Sequence, residues 1–178
     1  MTSKGRPRGS GRSIPILASD QTRTAIENAR RLGKFAPRAE LLLALSIEVG
    51  LRASELPSLT LGDTYEDNGH VREAIYIKPA YSRSDTRCEV KLPLFVRRLL
   101  VKQLQSNHFR YDGSLKHLAL FASTRGDHLS PASIARFLIH LYNQAGLKGF
   151  TSRSGRKTLI ARLKKQDGFA AHLLPADF

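Results

Sequence analysis

Cysteine is almost missing from this chain: the single copy, Cys88, excludes an internal disulfide and fits a reducing cytosol. Acid is scarce too, with 15 Asp and Glu against 29 Lys and Arg. Long apolar runs are also lacking. The longest, Leu41–Leu45, falls far short of the roughly 20 residues of a membrane span, so no membrane partner is expected. The basic N-terminus has no apolar segment after it, which excludes a secretory signal. Neither Cys88 nor the histidines (70, 108, 117, 128, 140 and 172) show paired ligand spacing, so neither a metal nor a cofactor is expected. The Gly-rich start lacks the lysine pattern of a phosphate-binding loop, and no Gly-x-Ser-x-Gly elbow is found.

What is present is enough for one globular domain. Hydrophobic residues make up 41% of 178. A chain of this size buries roughly 70% of its unfolded surface. The net charge is +14 and the isoelectric point about 10.5, a surplus that attracts a polyanion, most often nucleic acid. Residues 1–14 carry Lys4, Arg6, Arg8 and Arg12 without an acid. They read as a flexible basic arm ahead of a domain over 15–178, either an ordinary terminus or a segment lying along DNA.

The pattern after the arm is mainly helical. A first helix is expected after Ser19 or Asp20, with a stripe of Ala25, Ile26, Ala29 and Leu32 and a stop at Gly33. A second, apolar on most faces and therefore buried, is expected from Pro37 to Val49, with Gly50 as its stop. A short helix is expected over Ala53–Leu56. Alternation over Val71–Lys78 and Cys88–Leu92, around the polar stretch Ser82–Arg87, predicts a β-hairpin with a long basic tip. Helices are expected again from Leu94 to Gln105, with Phe95, Leu99, Leu100 and Leu104 on one face. Two more run from Ser130-Pro131 to about Ala145, and from Ser154 to about Lys165. The fold class is α+β, mainly helical, with a small antiparallel sheet.

Two clusters carry candidate chemistry. In Gly50-Leu51-Arg52-Ala53-Ser54-Glu55-Leu56, an arginine stands among apolar neighbours directly after a buried helix. A charge on such a flank needs a partner, and Glu55 can supply one. The pair is either structural or a device that holds the guanidinium fork for a phosphate. In Thr151-Ser152-Arg153-Ser154-Gly155-Arg156-Lys157-Thr158-Leu159-Ile160, a basic group opens the last helix. Alone it reads equally as a solvated helix start.

Together, on either side of a basic-tipped hairpin, these segments resemble the catalytic domain of the tyrosine recombinase (phage integrase) family over roughly residues 15–165. Leu141–Leu147 resembles the family's usual run into the second segment. The resemblance implies that Arg52 and Arg156 are the two catalytic arginines, holding the scissile phosphate and neutralising its developing charge. It implies a tyrosine nucleophile forming a 3′-phosphotyrosyl link, a hairpin lysine as proton donor, a histidine in the second segment, and no metal. DNA is the implied partner, with self-association on DNA and a cytoplasmic, nucleoid-associated setting as in prokaryotes. Arg52, Arg156, Lys157, Arg83 and Arg87 are the expected DNA contacts.

This sequence departs from the family at three places. Arg153 occupies the histidine position; it stays protonated and cannot act as a base, though it can bind phosphate. The lysine position falls near Arg83, a poor proton donor, while Lys78 and Lys91 on the flanking strands fit it less well. No tyrosine follows Arg156; the last one, Tyr142, sits on an apolar helix face and reads as core. His172 reads as a surface residue. The chain is therefore expected to stop short of the nucleophile, as a shortened gene product or as a non-catalytic relative, and to be inactive in strand cleavage. A DNA-binding module with the same phosphate grip is the alternative reading. A basic RNA-binding protein is the third, with only Tyr76 and Tyr81 as stacking candidates on the hairpin.

Overall fold

The computed structural model describes residues 13–77, 88–106, 113–123 and 128–166. Its centre is helix α2, Ala36–Ile47, where Leu41, Leu42, Leu43, Ala44 and Leu45 are all fully buried. A helix apolar all round has no solvent face, so other helices must surround it. Here α1 (Ser19–Arg30), α4 (Leu94–Ser106), α5 (Pro131–Gln144) and α6 (Ser154–Gln166) pack against it. Each fully buried leucine contributes about 1.5–3 kcal/mol to that packing.

Helix α1 starts one residue earlier than expected. Ser19 is its first residue, and the boundary falls at Ala18, whose N–H donates to Gln21 Oε1 at 2.9 Å. The reciprocal half of a capping box thus replaces the Ser or Asp cap. Its buried residues Ala25, Ile26 and Ala29 are those expected, joined by Thr22, whereas Leu32 falls beyond the helix and is half-buried. It ends at Arg30, and Gly33 (φ 55°) opens a 3-10 turn that leads directly into α2. Pro37 lies in the first turn of α2.

The helix expected over Ala53–Leu56 is instead a turn followed by a 3-10 turn, Leu56–Ser58, because Pro57 cannot extend an α-helix. An unexpected single-turn helix α3, Leu61–Thr64, follows. Thr60 caps it: Asp63 N–H donates to Thr60 Oγ1 at 3.3 Å, and Thr60 N–H donates to Asp63 Oδ2 at 2.8 Å.

The sheet has two antiparallel strands, β1 (Ala74–Ile77) and β2 (Cys88–Lys91), with Ile75 opposite Val90 and Tyr76 opposite Glu89. Both strands are shorter than the alternation suggested. Ile75 and Ile77 face the core, whereas Tyr76 is 54% exposed. The connecting tip, with Arg83 and Arg87, lies outside the described residues.

Helix α4 buries Val96, Leu99, Leu100 and Gln103. The expected stripe is corrected at one position: Leu104 is half-buried and packs against the core, but Phe95 lies about 90° from the buried face and is 36% exposed. Tyr65 OH donates to the carbonyl of Leu100 at 2.8 Å and ties the segment after α3 to α4. Helix α5 begins at the expected Ser130 cap and proline. Among the described residues, no helix is long and apolar enough to cross a membrane.

One buried carboxylate joins three helices. Glu40 on α2 accepts from Arg30 Nε of α1 and from Lys102 Nζ of α4, both at 2.5 Å. Its side chain is 1% exposed, whereas the two cations are 51% and 49% exposed. Either cation alone can neutralise the carboxylate, but loss of both strands a charge in the core. Arg30→Ala and Lys102→Ala are each expected to cost little. The double variant is expected to cost about 3 kcal/mol, the lower end for an orphaned buried charge because water reaches the site. Urea unfolding of the four proteins measures this; losses that simply add would show that the two cations act independently.

Candidate nucleic-acid interface

The interface begins where α2 ends. Gly50 has φ 78°, and Leu51 N–H donates back to the carbonyl of Leu45 at 3.0 Å. This is the left-handed closure that glycine adopts without a Cβ penalty. Leu51 points into the core, at 3% exposure, and the chain emerges at Arg52.

Glu55 is 6% exposed and sits beneath Arg52. Its Oε2 accepts from the backbone N–H of Arg52 at 2.8 Å, and its Oε1 lies 3.7 Å from Arg52 Nη1. The structural pairing of Arg52 with Glu55 expected from the sequence is present. The carboxylate fixes the arginine's backbone with a short bond and balances its guanidinium with a looser charge contact. The Arg52 side chain is 26% exposed.

Helix α6 brings the second cluster to the same place. Gly155 lies against the C-terminal end of α2: a Cβ there would sit 2.8 Å from the carbonyl oxygen of Ser46 and overlap its hydroxyl. Only a glycine permits this approach. One residue on, Arg156 Nη1 donates to the carbonyl of Gly50 at 2.7 Å. Leu159, a turn later, packs where a Cβ on Gly50 would lie, 2.9 Å away. The Arg156 guanidinium is held below its usual value, first by burial and then by the positive charge of Arg52, with Glu55 opposing. That shift records the proximity of the three charges. An arginine remains protonated through such a change, so Arg52 and Arg156 bring two fixed positive charges to the site.

A model of the phage integrase family matches residues 15–170. The chain belongs to the phage integrase family. Three solved structures of the same fold illustrate its range. XerA recombinase superposes with a TM-score of 0.66 at 20% identity, covering 92% of this chain and 55% of that one. The Tn1549 transposon integrase, in complex with circular intermediate DNA, gives 0.68 at 18%, covering 92% and 57%. The lambda integrase catalytic core gives 0.59 at 20%, covering 89% and 90%. The chain spans about half the length of the XerA and XerH recombinases it resembles, 55% and 45%. No curated protein matches it in sequence.

Within this phage integrase fold, the sequence-predicted residues are placed unequally. Arg52 and Arg156 come together. Arg153 is exposed in the turn before α6, where its N–H donates to Thr151 Oγ1 at 3.2 Å. Lys157 is half-buried on the first turn of α6. Arg83 and Arg87 fall outside the described residues. Tyr142 is fully buried on α5, its ring centroid 5.8 Å from that of Phe150. Burial pushes its phenol far above the usual range, and the nearby Ser46 hydroxyl opposes this without a well-formed hydrogen bond. Among the described residues, no group of three or more His, Cys, Asp or Glu could hold a metal ion. Sequence reasoning missed the Gly50 carbonyl as the partner of Arg156. The glycine was legible as a helix stop, but a main-chain acceptor has no residue signature.

Gly50→Ala tests this construction. It places a side chain in left-handed backbone and against Leu159, so a loss of about 1–2 kcal/mol of stability is expected from the backbone alone. Chemical denaturation measures it; an unchanged midpoint would show that the closure does not depend on glycine.

Proposed function

We propose that this chain is a DNA-binding protein of the site-specific recombinase/integrase type, in which Arg52 and Arg156 grip one backbone phosphate between them. The observation that carries the reading is the convergence of two guanidinium groups, from distant parts of the sequence, around Glu55 and the Gly50 carbonyl. Two like charges held close together repel, and an incoming phosphate relieves that repulsion while accepting hydrogen bonds from the guanidinium groups. Arg153 and Lys157, at the adjacent start of α6, add charge for neighbouring phosphates. The net charge of +14 supplies long-range attraction to DNA. Arg83 and Arg87 belong to the same reading as contacts from the hairpin tip. Copies of the chain are proposed to meet on DNA, as recombination joins more than one site.

In a recombinase reaction these arginines would neutralise charge growing on the phosphate oxygens while a tyrosine displaces the 5′ oxygen. No tyrosine follows Arg156 in this sequence, and Tyr142 is buried with its phenol held protonated. The phosphate grip is therefore proposed to bind the strand without cleavage by Tyr142. With Arg153 and Arg83 at the positions of the histidine and the lysine, it also offers no proton-transfer group there near neutral pH.

Affinity for duplex DNA is expected to fall steeply with added salt, because each phosphate contact releases condensed counterions. Absence of binding at low salt would exclude the reading. Arg52→Ala and Arg156→Ala are each expected to weaken binding about tenfold. If they share one phosphate, the double variant loses less than the product of the two; independent losses would mean that they grip different groups. Incubation with a nicked suicide substrate is expected to give no covalent protein–DNA band. A trapped band would identify a nucleophile and overturn the non-cleaving reading.

A further inference from the structure

Helix α6 is held on two faces. One face, with Arg156 and Leu159, meets Gly50. The other meets the segment that enters α1. Thr158, fully buried, donates its hydroxyl to the carbonyl of Ser154 at 2.8 Å and accepts from the backbone N–H of Leu17 at 2.8 Å. Four residues further along α6, and so on the same face, Arg162 Nη2 donates to Thr22 Oγ1 at 2.8 Å while its Nη1 donates to Glu48 Oε1 at 3.0 Å. These contacts join residues at opposite ends of the chain.

Their geometry constrains rotation. The bond from Thr158 to Ser154 fixes the threonine side chain against its own helix, so its oxygen offers one direction to Leu17. Leu17 is 3% exposed, and its N–H would be buried without a partner if that oxygen moved. Turning α6 about its axis would break this bond and displace the base of the Arg156 side chain. Arg162 resists the same rotation at a second height and is 30% exposed, so its contribution comes from hydrogen bonds rather than deep burial.

We propose that Thr158 and Arg162 are positioning residues for Arg156, and that the Leu17–Thr22 segment acts through them as a strap that sets the phosphate grip. This rests on the reading of Arg156 as a phosphate ligand. The segment lies directly ahead of and within the first turn of α1, so anything that pulls on the chain upstream of Leu17 acts on α6.

The test is a double-mutant cycle in DNA affinity, using the full chain and a short mixed-sequence duplex at low salt. Thr158→Val keeps the shape and removes both hydrogen bonds. In the wild-type background it is expected to weaken binding roughly threefold to tenfold, the range one misplaced hydrogen-bonding group is worth. In an Arg156→Ala background it is expected to cost nothing further, because there is no guanidinium left to misplace. Thr158→Ser, which restores the hydroxyl, is expected to recover wild-type affinity. Equal losses in both backgrounds, or failure of the serine to rescue, would overturn the strap and leave the phosphate reading standing. If Arg156→Ala itself leaves binding unchanged, both fail. Should Thr158→Val not fold, Arg162→Met carries the same cycle from the partly exposed end of the contact, with the same expected pattern and the same overturning result.

Discussion

Everything at the candidate interface depends on how closely α6 approaches the end of α2. Glycines make that approach possible on both sides of the contact. Gly155 presses on the carbonyl of Ser46, and Gly50 leaves room for Leu159. Neither contact is strong by itself. Their effect is geometric: they bring the start of one helix to the end of another, so a side chain on α6 can reach a carbonyl released by the turn after α2. Core packing around Leu41–Leu45 anchors α2, and the close approach converts that anchorage into a fixed place for Arg156.

The electrostatics of the site follow from that placement. Two guanidinium groups held near one another repel, and burial raises the cost of the Arg156 charge. Glu55 and the Gly50 carbonyl offset this: the carboxylate holds the Arg52 backbone and faces its guanidinium, and the carbonyl accepts from Arg156 Nη1. Oriented charge of this kind can act on an anion without reorganisation.

The sequence made much of this legible. The buried helix showed itself in LLLAL, the hairpin in its alternation, and α5 in Ser130-Pro131, because each follows from a local rule of period or capping. Arg52 was legible because its neighbours are unusual for a charge, and Arg156 only through the resemblance of the two segments together to the family. What escaped was set by tertiary contact. The start of α1 depends on Gln21 turning back to Ala18, with Leu17 already tied to Thr158. The buried face of α4 depends on where α2 lies, which moved Phe95 out of the predicted stripe. The turn at Leu56–Ser58 reflects a proline that a helical reading of Ala53–Leu56 placed at the boundary rather than inside the turn.

Gly50 carries a further consequence. Its partnership with Arg156 runs through the main chain, so no side chain at position 50 can supply or remove the acceptor. The contact is specified by the turn that glycine permits at position 50 and by the number of residues between the end of α2 and Arg52. The acceptor survives any change that keeps that turn and the close approach at Gly155, whereas a single inserted or deleted residue would carry it away. Spacing, at this point of the chain, takes the part that a side chain takes elsewhere.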